Sequence, residues 1–268
     1  MANSINTNAG ALVALQNLNN TSRDLAITQN RVNTGQKVSS AKDNGAIFAI
    51  ATNQRAEMGA LDAVKQSMQR GQSIVDVALA AGETITKALE EQKSLAVAIE
   101  SSVAGSAAET AYLADFNALG NEITKALGGA NFDGVNLFSV AAADIEVKTG
   151  TGATDKFVLK ATGAATAVAT AGGAILRAGA TAAAVDTALK GFTAELGALG
   201  TKSKSLERSL TFTSKIQDSL EVGIGNLVDA DLAKESAKLT ALQTKQQLGV
   251  QALGIANQSS SILLGLFR

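Results

Sequence analysis

The chain has 268 residues and contains no Cys, His, Trp or Pro, which excludes disulfides, thiolate nucleophiles, the usual zinc sites and His-based acid–base catalysis. Its 24 acidic and 23 basic residues leave a formal charge of −1, so no global field draws it to nucleic acid or acidic lipid. The lack of Pro removes the strongest helix breaker and suits long uninterrupted helices.

Residues 1–22 carry no Asp, Glu, Lys or Arg. They do not read as a cleaved secretory leader, because the start is not basic and no continuous apolar run follows. Asn3, Asn6, Asn8, Gln16, Asn17, Asn19 and Asn20 also break the segment as a membrane span, so no membrane insertion is expected. Ile5 and Leu12 are seven apart, as are Leu18, Leu25 and Val32, which predicts an amphipathic helix. Gly35 reads as its C-cap. Residues 33–44 read as a loop, and Asp43-Asn44-Gly45 is a turn signal. Helix resumes through Ile47, Ile50 and Ala51.

A rod follows, in which Val64, Met68, Gly71, Val75, Ala78, Gly82, Ile85, Leu89, Gln92, Ala96, Ile99 and Val103 alternate steps of four and three, a heptad-type seam. The small residues Gly71, Ala78 and Gly82 suit close approach of a neighbouring helix. A shorter helix over 108–127 shows Tyr112, Phe116, Leu119 and Ile123 on one face and ends at Gly128-Gly129. Residues 144–148 and 156–160 alternate in polarity, which predicts a β-hairpin. Residues 161–184, mostly Ala, Thr and Gly, are expected to form an exposed tip.

The strongest helical signal comes next: Val185, Leu189, Phe192, Leu196, Leu199, Ser203, Leu206, Leu210, Thr213, Gln217, Leu220, Ile224 and Leu227. That seam slips at Asp229-Ala230-Asp231, where a change of packing partner or a helix break is expected; Asp229 or Asp231 suits a new N-cap. A second seam runs through Leu232, Leu239, Leu242 and Leu253, with Leu248, Ile255 and Ile262 as a neighbouring row. Residues 246–267 are again free of charge.

The expected fold class is mainly α, with long antiparallel coiled-coil helices, the N- and C-terminal helices paired, and a small β-hairpin outer region. The expected domains are 1–33 with 232–268 as terminal helices of an inner core, 34–139 with 184–231 as a coiled-coil rod, and 140–183 as a short outer tip. Packing within one chain accounts for the two long seams. The uncharged ends have too little sequence around them to bury a core alone. Ile5, Leu12, Leu18, Leu25, Leu248, Ile255 and Ile262 are therefore expected to meet other copies of the chain. Lys202, Lys204 and Arg208 form a basic cluster read as a solvated helix face, because no aromatics interleave with it. Gly150-Thr-Gly-Ala-Thr-Asp155 is not a dinucleotide loop, and no phosphate-binding loop is present. Neither an enzyme nor a cofactor is expected.

The motifs then resemble one family. Ser4-Ile-Asn-Thr-Asn8 followed by Leu12, Leu15 and Leu18, Arg31-Val-Asn-Thr-Gly-Gln-Lys-Val-Ser-Ser-Ala-Lys-Asp43, Gly128-Gly-Ala-Asn-Phe-Asp-Gly-Val-Asn-Leu137, Asp229-Ala-Asp-Leu-Ala-Lys-Glu235 and the ending Leu-Leu-Gly-Leu-Phe-Arg268 resemble bacterial flagellin over nearly the whole chain. The resemblance implies a structural subunit of the extracellular flagellar filament, a helical homopolymer for swimming. It implies export by the flagellar type III pathway without a cleaved signal. It also implies partners in the export apparatus, an export chaperone, and the hook-associated junction and cap proteins. A hook–filament junction protein shares the terminal pattern and stands as the alternative. The resemblance further makes Thr162, Thr166, Thr170 and Thr181 candidates for O-linked sugar, against the plain reading of a solvated loop. The outer insertion is short for such a protein.

Overall fold

The structure is a computed structural model that describes residues 8–139, 144–161 and 175–266, with side chains described as far as residue 258 in the last helix. The elements are α1 (Ala9–Thr34), α2 (Gly45–Ser101), α3 (Ala107–Gly129), β1 (Ile145–Lys148), β2 (Lys156–Leu159), α4 (Ala182–Val228) and α5 (Leu232–Leu266). The mainly α class with a small hairpin is thus observed. The chain divides into two compact units, Met1–Ala56 with Ser219–Arg268, and Glu57–Asp218.

The Glu57–Asp218 unit holds the main apolar core. Every position of the long α2 seam from Val64 to Ile99 is buried. None of the α4 seam positions within this unit is exposed, and Phe192, Leu199 and Leu206 are fully buried. One polar side chain in the α2 seam, Gln92, donates to the carbonyl of Phe116 on α3 at 3.0 Å, so its burial does not leave the amide nitrogen unmade. Val103 departs from expectation: α2 ends at Ser101, and Val103 is 77% exposed. The seam has no register beyond Ser101, and Gly105, with φ 78°, turns the chain toward α3.

Ser106 caps α3 by accepting from the Glu109 backbone N–H at 3.1 Å, and the Glu109 carboxylate in turn accepts from Gly105 N, a reciprocal capping arrangement. Phe116, Ile123 and Leu127 face the core, whereas Tyr112, expected on the same face, is exposed. After α3, Asp133 and Gly134 take positive φ angles of 52° and 78°. Phe132 and Val135 exchange both backbone hydrogen bonds at 2.9 Å, closing a tight turn of the mirror-image kind. Asp133 pairs with Arg70 of α2 at 2.6 Å, and Phe138 packs on Phe192 with ring centroids 5.4 Å apart.

The hairpin is antiparallel, with Val147 opposite Phe157 and Ile145 opposite Leu159. It packs down on its own unit: Val147 and Leu159 belong to the buried core. A Cβ on Gly71 would lie 2.6 Å from Val147 Cγ2, so the close neighbour at Gly71 is a strand rather than the expected helix. At Gly82 the neighbour is a helix, and a Cβ there would run into Leu196 of α4.

The approach to α4 is anchored. Asn117 and the Ile175 backbone exchange two hydrogen bonds, at 2.8 and 3.3 Å. Arg177 pairs with Glu109 at 3.0 Å and donates to the carbonyl of Ser102 at 3.0 Å. The Gly105 N–H and Arg177 together hold the Glu109 carboxyl below its usual pKa. Ala180 is buried, and Thr181 is the N-cap of α4, its Oγ1 accepting from Ala184 N at 3.2 Å. Thr181 therefore serves a helix start; of the stretch 161–184 expected as a tip, residues 162–174 lie outside the described residues, and Leu176 is 79% exposed. Thr162, Thr166 and Thr170 lie outside the described residues.

In the other unit, Gly35 ends α1 in the left-handed conformation with φ 69°, as expected. Asp43 Oδ2 accepts from the backbone and hydroxyl of both Ser39 and Ser40 at 2.9–3.2 Å, which holds its carboxyl below the usual range. Asn44 caps α2 through Ala46 N and Ile47 N, and Asp231 caps α5 through Ala233 N and Lys234 N, all at 3.1 Å. The two helix breaks meet: Lys37 N donates to Val228 O at 2.7 Å, and Ala230 N donates to Gly35 O at 2.8 Å. A small apolar cluster of Ala51, Ile224 and Val228 supports them.

Candidate self-assembly surface

The uncharged segment of α1 is paired with α5 of the same chain. At one end Asn8 caps α1 by accepting from Ala11 N at 3.0 Å and donates its amide to Ala256 O at 2.7 Å. At the other end Arg31 meets Glu235 at 3.2 Å. The two helices therefore run antiparallel. Their facing positions are Ala11, Ala14, Leu18, Thr21, Leu25, Thr28 and Val32 against Leu239, Leu242, Gln246, Gly249, Leu253 and Ala256, all half-buried or buried. The alternation of three and four is that of a coiled-coil seam.

That seam is thin. It contains Ala, Gly, Thr and Gln, and the row holds a few leucines. Thr21 donates its hydroxyl to Asn17 O at 2.9 Å, while the fully buried Thr28 hydroxyl has no hydrogen-bond partner among the described residues. Several large apolar side chains stay outside the seam. Leu12 is 62% exposed, Leu248 59% and Ile255 70%, and Val13, Leu15, Ile27 and Val250 are exposed as well. A groove of about 430 Å³ lies along the pair, lined by Val13, Leu18, Leu248, Gly249 and Ala252 among others. Charge is confined to the Arg31–Glu235 half of the pair: Arg23, Asp24 and Arg31 on α1, Lys234, Glu235, Lys238 and Lys245 on α5. Large exposed apolar side chains gathered on one helix pair point to an interaction site.

The expected residues thus divide. Leu18 and Leu25 face α5 of the same chain; Leu12, Leu248 and Ile255 face outward. Ile5 and the side chain of Ile262 lie outside the described residues. Val13, Leu15, Ile27 and Val250 sit off the heptad rows; for Val13, Leu15 and Val250 the signal is the plain density of apolar residues in an uncharged stretch, whereas Ile27 lies beyond Arg23 and Asp24.

Among the described residues there is no group of three metal-ligating acids and no helix long and apolar enough to cross a membrane. Fold and surface together define a helical structural subunit. The family model for the bacterial flagellin N-terminal helical region matches residues 5–143, and that for the bacterial flagellin C-terminal helical region matches residues 182–267. The chain belongs to the bacterial flagellin family. It is 53% identical over 280 residues to flagellin FljM of Caulobacter vibrioides, covering 99% of both chains. It is 37% identical over 284 residues to a flagellin of Brucella melitensis, again covering 99% of both. The crystal structure of Bacillus cereus flagellin is similar at TM-score 0.48 and 21% identity, over 55% of this chain and 88% of that one. As a flagellin, the protein is a structural subunit of the extracellular flagellar filament, which is a polymer of itself and serves motility.

Proposed function

We propose that the α1–α5 pair is the adhesive element of this subunit, and that Leu12, Leu248 and Ile255 are buried against neighbouring copies in the filament, with Ile5 and Ile262 continuing the same rows. The observation that carries this is the exposure of those three large side chains on a stretch without ionised groups. Covering a leucine-sized side chain is worth roughly 1.5–3 kcal/mol, whereas burying an unpaired ion costs several kcal/mol. An ion-free apolar row therefore favours a covered state over a solvated one. Leu18 and Leu25 act one step earlier, by holding α1 on α5 so that the outer row is presented in register.

The thin seam has a second consequence. An isolated helix pair with so small a core is marginal in water; we propose that it orders fully only when neighbours cover it. The same looseness suits passage as an unfolded chain through the flagellar export apparatus. We place the junction and cap proteins as the contacts at the two ends of the polymer and an export chaperone as the cover of the apolar row before export.

Ile255→Lys tests the reading. It places an unpaired ion on the outer row without touching the seam. Salt-induced assembly followed by electron microscopy should give no filaments from the variant, while its monomer keeps the wild-type circular dichroism. Filaments of normal length would contradict the assignment.

A further inference from the structure

The Asp43-Asn44-Gly45 turn has a chemistry that self-assembly does not use. An asparagine followed by glycine can react with its own backbone: the glycine nitrogen attacks the side-chain amide carbon and closes a five-membered ring. Glycine favours this, because no Cβ shields its nitrogen and its backbone turns freely. The sequence holds one Asn-Gly bond, Asn44-Gly45, and one bond of the related Asp-Gly kind, Asp133-Gly134. The structure sets the two apart. Gly134 N donates to Asn131 Oδ1 at 3.0 Å, and the Asp133 carboxylate pairs with Arg70 at 2.6 Å, so both reacting groups there are engaged. Asn44 and Gly45, by contrast, are both exposed, and the Gly45 N–H has no acceptor among the described residues. A Cβ on Gly45 would meet nothing within 4 Å, so the nitrogen is open to solvent.

What restrains Asn44 is its own cap. Its Oδ1 accepts from Ala46 N and Ile47 N at 3.1 Å, and its carbonyl accepts from Phe48 N at 2.9 Å. Drawing Cγ back onto the Gly45 nitrogen breaks both side-chain bonds and takes Gly45 out of the first turn of α2. That turn has slight support: Ile47 packs on the small cluster of Ala51, Ile224 and Val228, while Gly45 and Ala46 are exposed. The reaction is therefore open to the chain whenever the end of the helix frays.

We propose that Asn44 is a self-modification site, gated by its own helix cap, at which the chain deamidates when the first turn of α2 opens. The Gly45 nitrogen gives up its proton and bonds to Asn44 Cγ; the Cγ–Nδ2 bond breaks, and ammonia leaves with a proton in place of the one given up. Water then opens the cyclic imide at either carbonyl. Opening at Cγ leaves aspartate. Opening at the main-chain carbonyl leaves isoaspartate, in which the chain runs on through Cβ and Cγ. One water enters and one ammonia leaves, with no oxidant or cofactor. The two products act in opposite directions. Aspartate keeps an acceptor over Ala46 N and Ile47 N and adds negative charge at the helix start, which favours the cap. Isoaspartate inserts a carbon into the backbone and moves the free carboxylate onto Cα, so α2 loses its cap. None of this depends on the α1–α5 contact.

The test holds purified full-length protein in mildly alkaline buffer, folded and in guanidinium chloride. The tryptic peptide 43–55 is followed by mass spectrometry, and isoaspartate is read by enzymatic methyl-ester labelling. Asn44 should convert to a mixture of aspartate and isoaspartate, about tenfold more slowly in the folded chain than in denaturant, the factor that a helix cap supplies. Gly45→Ala shields the nitrogen and should suppress conversion in both conditions. Its thermal unfolding should stay at or above that of wild type, since the added Cβ has open space and alanine favours the helix. Amides 45–48 should exchange hydrogen faster in the isoaspartyl chain than in Asn44→Asp, which carries the other product. A folded rate equal to that in denaturant, no conversion of the folded chain at all, or undiminished conversion in Gly45→Ala would overturn the proposal.

Discussion

Arg31 and Glu235 meet at 3.2 Å across the point where α1 ends and α5 begins. The pair joins two breaks in the helical pattern that are 204 residues apart in sequence, and it is the ionic contact closest to the uncharged part of the α1–α5 seam. Its setting is half-buried: Arg31 Nε and Glu235 Oε2 are buried without hydrogen-bond partners among the described residues, so the geometry satisfies only part of what the two groups offer. Glu235→Gln keeps the volume and removes the charge. The expected cost is about 1–3 kcal/mol, read as a lower dissociation temperature of assembled filaments with the monomer's Glu57–Asp218 unit unfolding as in wild type.

The backbone contacts beside this pair, Lys37 to Val228 and Ala230 to Gly35, tie the loop after α1 to the gap between α4 and α5. A filament that changes helical shape needs a joint with two packings, and these two segments form a joint within one unit. Lys37→Ala removes the side-chain bond to Asn226 O, observed at 2.8 Å, without altering the backbone bonds. Filaments of this variant should form but show an altered waveform by dark-field microscopy; an unchanged waveform would separate the joint from shape switching.

Two glycines of α2 make opposite predictions from one substitution. Gly59 has nothing near the position a Cβ would take, whereas at Gly82 a Cβ would run into Leu196. Gly59→Ala should stabilise the monomer by about 0.5–1 kcal/mol through helix propensity and chain entropy. Gly82→Ala should destabilise it by about 1–3 kcal/mol, because overpacking exceeds that gain. Thermal unfolding of the two variants beside wild type checks both signs.

How far the sequence reached is clearest in α2. Its seam positions from Val64 to Ile99 are all buried, because a heptad row in a long helix leaves little choice about which face turns inward. Periodicity does not say what covers that face. Gly71 meets a strand and Gly82 a helix, and both read alike as small residues in one row. Nor does it mark where the row stops: Val103 continues the spacing but lies past the end of α2 at Ser101. In α1, Leu12 and Leu18 were read together as contacts to other chains. The structure turns Leu18 to α5 and Leu12 outward, a distinction that depends on the register of a partner helix more than two hundred residues away. Thr181 looked like part of a loose tip, and its role as the N-cap of α4 depends on where that helix starts.

Acid sensitivity of the Glu57–Asp218 unit follows from Asp186. Lys190 at 2.6 Å and Lys93 at 2.5 Å hold its carboxyl at a pKa of about 2. A carboxylate depressed in the folded state adds stability that is present above its unfolded pKa, near 3.8, and is lost as the pH falls through about 2. Urea unfolding of the monomer between pH 5 and pH 2 should therefore show stability falling with pH, and Asp186→Asn should flatten that slope. An unchanged slope in the variant would assign the acid response to other carboxylates, Glu109 first among them.

The most direct measurement is assembly by a chain that lacks its uncharged ends, residues 1–22 and 246–267, together with the final Arg268. If the bare apolar rows of α1 and α5 are what neighbouring copies hold, this shortened chain stays dispersed under assembling salt, as seen by sedimentation and electron microscopy, while the Glu57–Asp218 unit melts as in the intact monomer. Long tubes from the shortened chain would contradict the account.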